Sequence, residues 1–174
     1  MKTGELQFLL DSMSTPLGDL LIVADEAGHL RGIDWVDHET RLHRLLNLRW
    51  GPHVLVPRQN PYGFTVALQA YFEGNLGAIE GLPVASGGTV FQQAVWRALR
   101  FIPKGTTLSY GELAAQIGRP RAVRAVGLAN GANAVGIVVP CHRVIGRNGA
   151  LTGYGSGLPR KAWLLDHEQK NRTA

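Results

Sequence analysis

The sequence predicts a two-part chain: an α/β N-terminal half, with a small antiparallel sheet and helices, then a mainly α half built on a helix-turn-helix. Three observations predict it. Short apolar runs separated by turn residues occupy positions 6–36. Two Ser/Thr-x-x-Glu/Gln signatures, Thr89 with Gln92 and Ser109 with Glu112, open helices in the second half. Charge divides between the halves: residues 1–86 hold 6 Lys+Arg and 10 Asp+Glu, and residues 87–174 hold 12 and 3, so −4 and +9 make up the overall +5. An acidic domain is expected at 1–86 and a basic one at 87–174, with a linker near 81–88.

Each element follows from its residues. Leu6–Met13 reads as a strand. Thr15-Pro16-Leu17-Gly18 is turn chemistry, because Pro fixes φ and Gly permits φ > 0. Leu20–Ala24 and Leu30–Val36 are further strands, with Asp25–Gly28 turning the chain between them. His38–Trp50 is helical from the spacing of Leu42, Leu45 and Leu46. Pro52–Pro61 breaks that pattern, and Tyr62–Phe72 is a second helix stopped by Gly74. After the Thr89 cap, Phe91, Ala94, Val95, Ala98, Leu99 and Ile102 line one helical face. After the Ser109 cap, Tyr110, Leu113, Ala114 and Ile117 do the same, and Gly118 ends the helix. Pro120 is expected to open the next helix, with Ala122, Ala125, Val126 and Ala129 buried. Gly136–Val139 is an apolar β-branched run. Val144–Arg147 and Ala150–Thr152 read as a hairpin across Asn148-Gly149. Gly153–Gly157 is a loop, and Pro159 starts a final helix carrying Trp163, Leu164 and Leu165.

Composition narrows the function. At 45% hydrophobic and 18% charged residues the chain is globular rather than disordered. One cysteine, Cys141, rules out an internal disulfide framework and a Cys-rich zinc site, and no histidine pairs with it at zinc-ligand spacing. No metal and no cofactor are expected. The opening MKTGELQFLL lacks the apolar core of a secretory signal. The uncharged run Ala125–His142 carries too many Gly, Asn and Pro residues for a membrane span. A cytoplasmic protein is expected, without membrane contact. Gly153–Gly157 lacks the Gly-Lys-Ser/Thr ending of a nucleotide-hydrolysing loop.

Two features carry chemistry. The first is the basic helix-turn-helix. Arg121, Arg124 and Leu128 lie opposite the alanine stripe, where a DNA-facing helix places its contacts. Ala122, Val123 and Gly127 keep that face small enough for a backbone to approach. The second is Pro140-Cys141-His142-Arg143. A thiolate is the nucleophilic form of cysteine, and neighbouring His and Arg favour it whereas apolar burial opposes it. A Cys–His pair needs a group to orient the imidazole. The basic half offers only Glu112, Asp166 and Glu168, and spacing favours Glu112 and Glu168 equally. Three readings stand on the residues: a thiol group-transfer protein acting on DNA, a DNA-binding module with a structural cysteine, and a thiol hydrolase. The hydrolase lacks a visible oxyanion donor.

The run Ile137-Val138-Val139-Pro140-Cys141-His142-Arg143-Val144-Ile145-Gly146 resembles the 6-O-alkylguanine-DNA alkyltransferase family. So do Ser109–Ala114, Arg124–Gly127, Asn133, Gly153-Tyr154, and Lys161 with Trp163–Leu165 through Glu168. Thr15–Gly18 and Tyr71–Gly74 resemble the N-terminal half of the bacterial constitutive type, so the likeness runs from Thr15 to Glu168. It implies a ribonuclease-like N-terminal fold, a winged-helix-like C-terminal one, and a single-turnover transfer of an alkyl group from flipped 6-O-alkylguanine, or 4-O-alkylthymine, in double-stranded DNA to Cys141. By motif position, His142 activates the thiol through a water and Glu168 orients it, which selects Glu168 over Glu112. Tyr110 donates to the leaving base, and Asn133 braces the active-site turn. Arg124 replaces the extruded nucleotide, with Arg121, Ala122, Val123, Gly127 and Arg143 on the DNA side. Val144, Tyr154, Gly155 and Ser156 form the base pocket. A monomer suffices. Ala134 stands where proline is common in the family and Ser156 where glycine is usual.

Overall fold

The N-terminal half of the computed structural model is a four-stranded sheet in the order β3-β2-β1-β4. The structure describes residues 4–173, so Met1–Thr3, part of the segment read as lacking a signal, lie outside it. β1 (Leu6–Thr15) and β2 (Gly18–Ala24) turn on Thr15–Gly18, where the Thr15 hydroxyl donates to the Gly18 carbonyl and accepts from the Leu17 amide. β3 (Leu30–Trp35) pairs antiparallel with β2. α1 (Glu39–Trp50) follows a short 3-10 turn, as its leucine spacing predicts.

One element was not anticipated. His53–Pro57, inside the stretch read as a break, is β4 and pairs parallel with β1. Its Val-Leu-Val centre suits a strand, and the terminal Pro57 is tolerated because β4 is an edge. The sheet is therefore mixed rather than purely antiparallel. α2 (Phe64–Phe72) comes next. The segment read as a linker is part of the architecture, because the Leu30 amide donates to the Pro83 carbonyl and the Ala85 amide to the Leu30 carbonyl, on either side of the Leu30–Val84 bridge.

Side-chain alternation splits the sheet between two layers. Phe8, Leu21 and Val23 pack under Leu42 and Leu46 of α1. Leu9, Leu20 and Ile22 face the other way, into a cluster with Leu68 and Tyr71 of α2 and with Val95, Leu113, Val135 and Leu164 of the C-terminal half. One apolar cluster thus runs through both halves.

In the C-terminal half both capping boxes form. Thr89 caps α3 (Val90–Leu99) and Ser109 caps α4 (Tyr110–Gln116), each accepting from the third helical amide while the Gln92 or Glu112 side chain reaches back. Thr89→Ala is expected to cost about 1 kcal/mol, read as a lower urea midpoint with an unchanged slope. Gly118 adopts φ +74° and the Arg119 amide closes on Ala114, the glycine stop that the sequence predicts. The next helix, α5 (Val123–Gly131), starts three residues after Pro120, since Arg119–Ala122 forms a turn first. Ala125 faces solvent rather than the core, whereas Val126 and Ala129 are buried. Val144–Ile145 (β6) is not one arm of a hairpin: it pairs parallel with Leu108–Ser109 (β5), and Gly146 only closes the turn onto Ala150. α6 (Leu158–Asn171) ends the fold. Among the described residues no helix is long and apolar enough to cross a membrane.

Candidate active site

Cys141 is delivered by turns, not by a strand. The Val138 amide bonds to the Gly136 carbonyl around Ile137, which sits at φ +71°. This is a strained conformation for a β-branched residue, held here by full burial of Ile137. A second three-residue turn, Cys141 amide to Val139 carbonyl, pivots on Pro140. Cys141–Arg143 then forms a 3-10 turn. Ile137–Val139 is therefore buried, as its composition predicts, but not extended, because Asn133 ties the Val135 and Val139 backbone together across the turn. The Asn133 carboxamide oxygen accepts from the Val135 amide at 3.0 Å. Its Nδ2 donates to the Val139 carbonyl at 2.9 Å and to Cys141 Sγ at 3.2 Å.

The two residues that follow the thiol in the chain belong to a buried ionic group. His142 Nε2 is 2.9 Å from Glu168 Oε1, close to the carboxylate though out of line for a well-formed N–H hydrogen bond. Arg143 donates from Nε and Nη2 to both Glu168 oxygens at 2.8 and 2.7 Å, and from Nη1 to the Ile102 carbonyl. Tyr71, from the N-terminal half, donates to Glu168 Oε2 at 2.9 Å. Burial alone would raise the Glu168 pKa, but the close contact and charge of His142 and the hydrogen bonds and charge of Arg143 hold it well below the usual carboxylate range. Of the two acids that spacing left open, Glu168 meets the histidine, while Glu112 caps α4. Arg143 was expected on the DNA side. Instead it is buried and committed to Glu168, so its guanidinium does not face phosphate.

In front of the thiol is a cavity of about 100 Å³. Tyr110, Gly127, Asn133, Tyr154, Gly155 and Ser156 line it together with Cys141. Val144 does not; it is fully buried in β6. The Tyr110 hydroxyl donates to the Thr152 carbonyl at 2.8 Å, so it must change partner to meet a ligand. Burial pushes the Cys141 thiol up, while the Asn133 hydrogen bond and the charges of Arg41 and Lys161 act the other way. Lys161, fully buried, holds the loop through the Thr152 and Gly153 carbonyls, both at 3.1 Å. Arg121, Val123 and Arg124 are exposed at the start of α5 or just before it, beside exposed Arg119, with Ala122 half-buried.

Sequence reasoning missed the N-terminal contribution to this cavity. Ile33, Asp34 and Arg41 line it as well. No local motif marks them: β3 reaches the site because the Ile33 amide bonds to the Ala134 carbonyl and the Gly136 amide to the Ile33 carbonyl. The only signal was an acid at an inward strand position. Among the described residues no cluster of side chains fits a metal ion.

Two family models match the chain: the 6-O-methylguanine DNA methyltransferase ribonuclease-like domain over residues 9–86, and the DNA binding domain of the same family over residues 90–170. The methylated-DNA–protein-cysteine methyltransferase of Salmonella typhimurium is 54% identical over 165 residues, 94% of this chain and 96% of its own length. That of Shigella flexneri is 49% identical over 165 residues, with the same coverage of 94% and 96%. A crystal structure of Mycobacterium tuberculosis OGT in complex with DNA superposes with a TM-score of 0.79 at 40% identity, covering 95% of this chain and 94% of that one.

Proposed function

The chain belongs to the 6-O-methylguanine DNA methyltransferase family and acts in DNA repair by direct alkyl transfer; we propose that Cys141 is the acceptor and that the surrounding residues act as follows. The observation that carries this reading is a lone buried thiol, held by Asn133 in the wall of a cavity and followed directly in the chain by the histidine of the buried His142–Glu168 pair.

The substrate is a 6-O-alkylguanine, or a 4-O-alkylthymine, in duplex DNA. Chemistry on a stacked base requires extrusion, at a cost of a few kcal/mol. Exposed Arg124 fills the vacated place in the stack, and the small surface of Ala122, Val123 and Gly127 admits the backbone. Arg121 supplies phosphate contact. In the transfer, a sulfur–carbon bond forms as the bond between the alkyl carbon and guanine O6 breaks. The thiol proton passes through a water to His142, which Glu168 orients. The electron pair stays with the base, and Tyr110 donates to the ring as negative charge develops there, a use of positioned donors that stabilises a poor leaving group. Tyr154, the Gly155 amide and Ser156 close the pocket, and the Cys141 carbonyl reads the exocyclic amine. The thioether is not reversed, so each molecule reacts once, as a monomer in the cytoplasm.

Flipping is testable apart from chemistry. Arg124→Ala is expected to slow reaction with 6-O-methylguanine in duplex DNA by roughly ten- to hundredfold, since each 1.4 kcal/mol of lost flipping energy is tenfold. Reaction with the free alkylated base stays within about twofold, because no duplex is opened there. Equal loss on both substrates contradicts the role given to Arg124.

A further inference from the structure

The reaction as proposed gives the N-terminal half no task, yet two of its charged side chains stand in the wall around the thiol. Asp34 at the end of β3 and Arg41 in α1 both line the Cys141 cavity. Arg41 Nη1 is 2.8 Å from Asp34 Oδ2. The pair is fixed to the C-terminal half from both ends. Asp34 is 2% exposed, and its Oδ1 accepts from the Ser156 hydroxyl at 2.7 Å and from the Trp35 amide at 2.9 Å. Arg41 Nη2 donates to the Gly131 carbonyl at 2.6 Å and to the carbonyl of Asn133 at 3.2 Å. Asn133 is the residue whose side chain holds the sulfur. The guanidinium also lies against the backbone of Gly155, where a Cβ would come within 2.7 Å of Arg41 Cζ. A cation this constrained acts on the thiol from a fixed position.

We propose that the Asp34–Arg41 ion pair is a positioning element of the transfer site, in which the Arg41 charge favours the Cys141 thiolate and the Asp34 carboxylate limits how far it does so. The proposal rests on the reading of Cys141 as the acceptor. The charged and titratable groups that face the sulfur are Arg41 from α1, Asp34 from β3, Lys161 from α6, Tyr110 from α4 and Tyr154 from the loop. Of these, Arg41 and Lys161 favour the thiolate against the effect of burial, and Asp34 opposes it. Lys161 is also the brace of the Thr152–Gly153 loop, so the ion pair is where charge is adjusted without unfastening that loop. A limit on thiolate stabilisation has chemical value, because a thiolate held too strongly becomes a weaker nucleophile.

The two partners must act with opposite sign, which no purely structural role predicts. The test is the pH dependence of Cys141 alkylation by iodoacetamide, followed by intact mass, in the whole chain, which has one cysteine. Asp34→Asn keeps the side-chain shape and the oxygen facing Ser156. It is expected to move the rate midpoint to lower pH and to speed reaction below the midpoint by roughly threefold, whereas Arg41→Gln moves it upward and slows reaction by roughly threefold. A loosened fold would instead relieve burial, raise the plateau rate and move the midpoint to lower pH in both variants. Shifts in the same direction, or none in either variant, overturn the proposal. If Arg41→Gln does not fold, Asp34→Asn decides alone, and an unmoved or raised midpoint overturns it. Failure of the acceptor reading shows separately, as a wild-type protein that gains no methyl from methylated duplex DNA.

Discussion

Cys141→Ala is expected to abolish alkyl transfer completely while duplex binding stays within about threefold, since the change removes no phosphate contact. The thiol lines the cavity, 3.2 Å from the Asn133 amide that donates to it, and it is the chain's sole cysteine, so no second acceptor can substitute. The basic surface proposed to meet DNA is elsewhere: Arg119, Arg121 and Arg124 are exposed at the turn and on α5. Two assays separate the functions, namely transfer of labelled methyl to protein and retardation of the same duplex. A variant that still binds but never becomes labelled is the expected outcome. If labelling persists at another residue, the acceptor has been misassigned.

Glu168→Gln carries the largest expected cost in stability. The carboxylate takes three hydrogen bonds, two from Arg143 and one from Tyr71, besides its contact with His142. Neutralising it leaves the Arg143 guanidinium buried without its counter-charge, and breaking such a pair costs about 3–5 kcal/mol. That is a large part of the about 5–15 kcal/mol that holds a domain folded. The urea midpoint should fall accordingly, and transfer by the folded fraction should slow by about a hundredfold because His142 loses its orienting partner. The sign with pH follows from the same group. Its folded-state pKa lies below the unfolded value, so its stabilisation is complete above the ordinary glutamate range near ~4.3 and is lost as pH falls through the folded value. Wild-type stability should therefore decline on acidification below that range, and Glu168→Gln should flatten the decline. A variant as stable as wild type would mean that the ion group is decorative.

How much of this was legible in the sequence depended on how local the cause is. Capping boxes at Thr89 and Ser109, the Gly118 stop and the Thr15–Gly18 turn act within a few residues, and each formed as read. The leucine spacing of α1 likewise needs only helical geometry. What escaped depends on distant partners. β4 exists because β1 offers it an edge 47 residues back in the chain (Leu6 opposite His53), and flanking prolines hid its Val54-Leu55-Val56 core. The path into Cys141 looks like a strand by composition, yet Asn133 bends it by taking up its backbone groups. Arg143 reads as a surface cation in a basic half, and only its contact with Glu168, 25 positions on, takes it inside. Arg160 is a similar case: it pairs with Asp37 and the Leu17 carbonyl rather than standing free. The basic half is thus less basic at its surface than its composition suggests. Of the seven lysines and arginines of this half that stay exposed, three, Arg119, Arg121 and Arg124, lie at the turn and the start of α5.

Ser156 shows how a departure from the family's usual residue acquires a partner. Its hydroxyl meets Asp34, and its carbonyl accepts from Arg160 at 3.2 Å, so both ends of the residue are held by groups tied to the N-terminal half. Both ties fix the pocket loop in relation to the thiol.

The most direct measurement is intact-protein mass spectrometry after mixing with a duplex that carries a single 6-O-methylguanine, followed by peptide mapping. The expected result is one methyl per molecule, located on Cys141, with no further reaction when fresh duplex is added. An unmodified protein that still binds the duplex, or a methyl mapped to any other residue, would contradict the account.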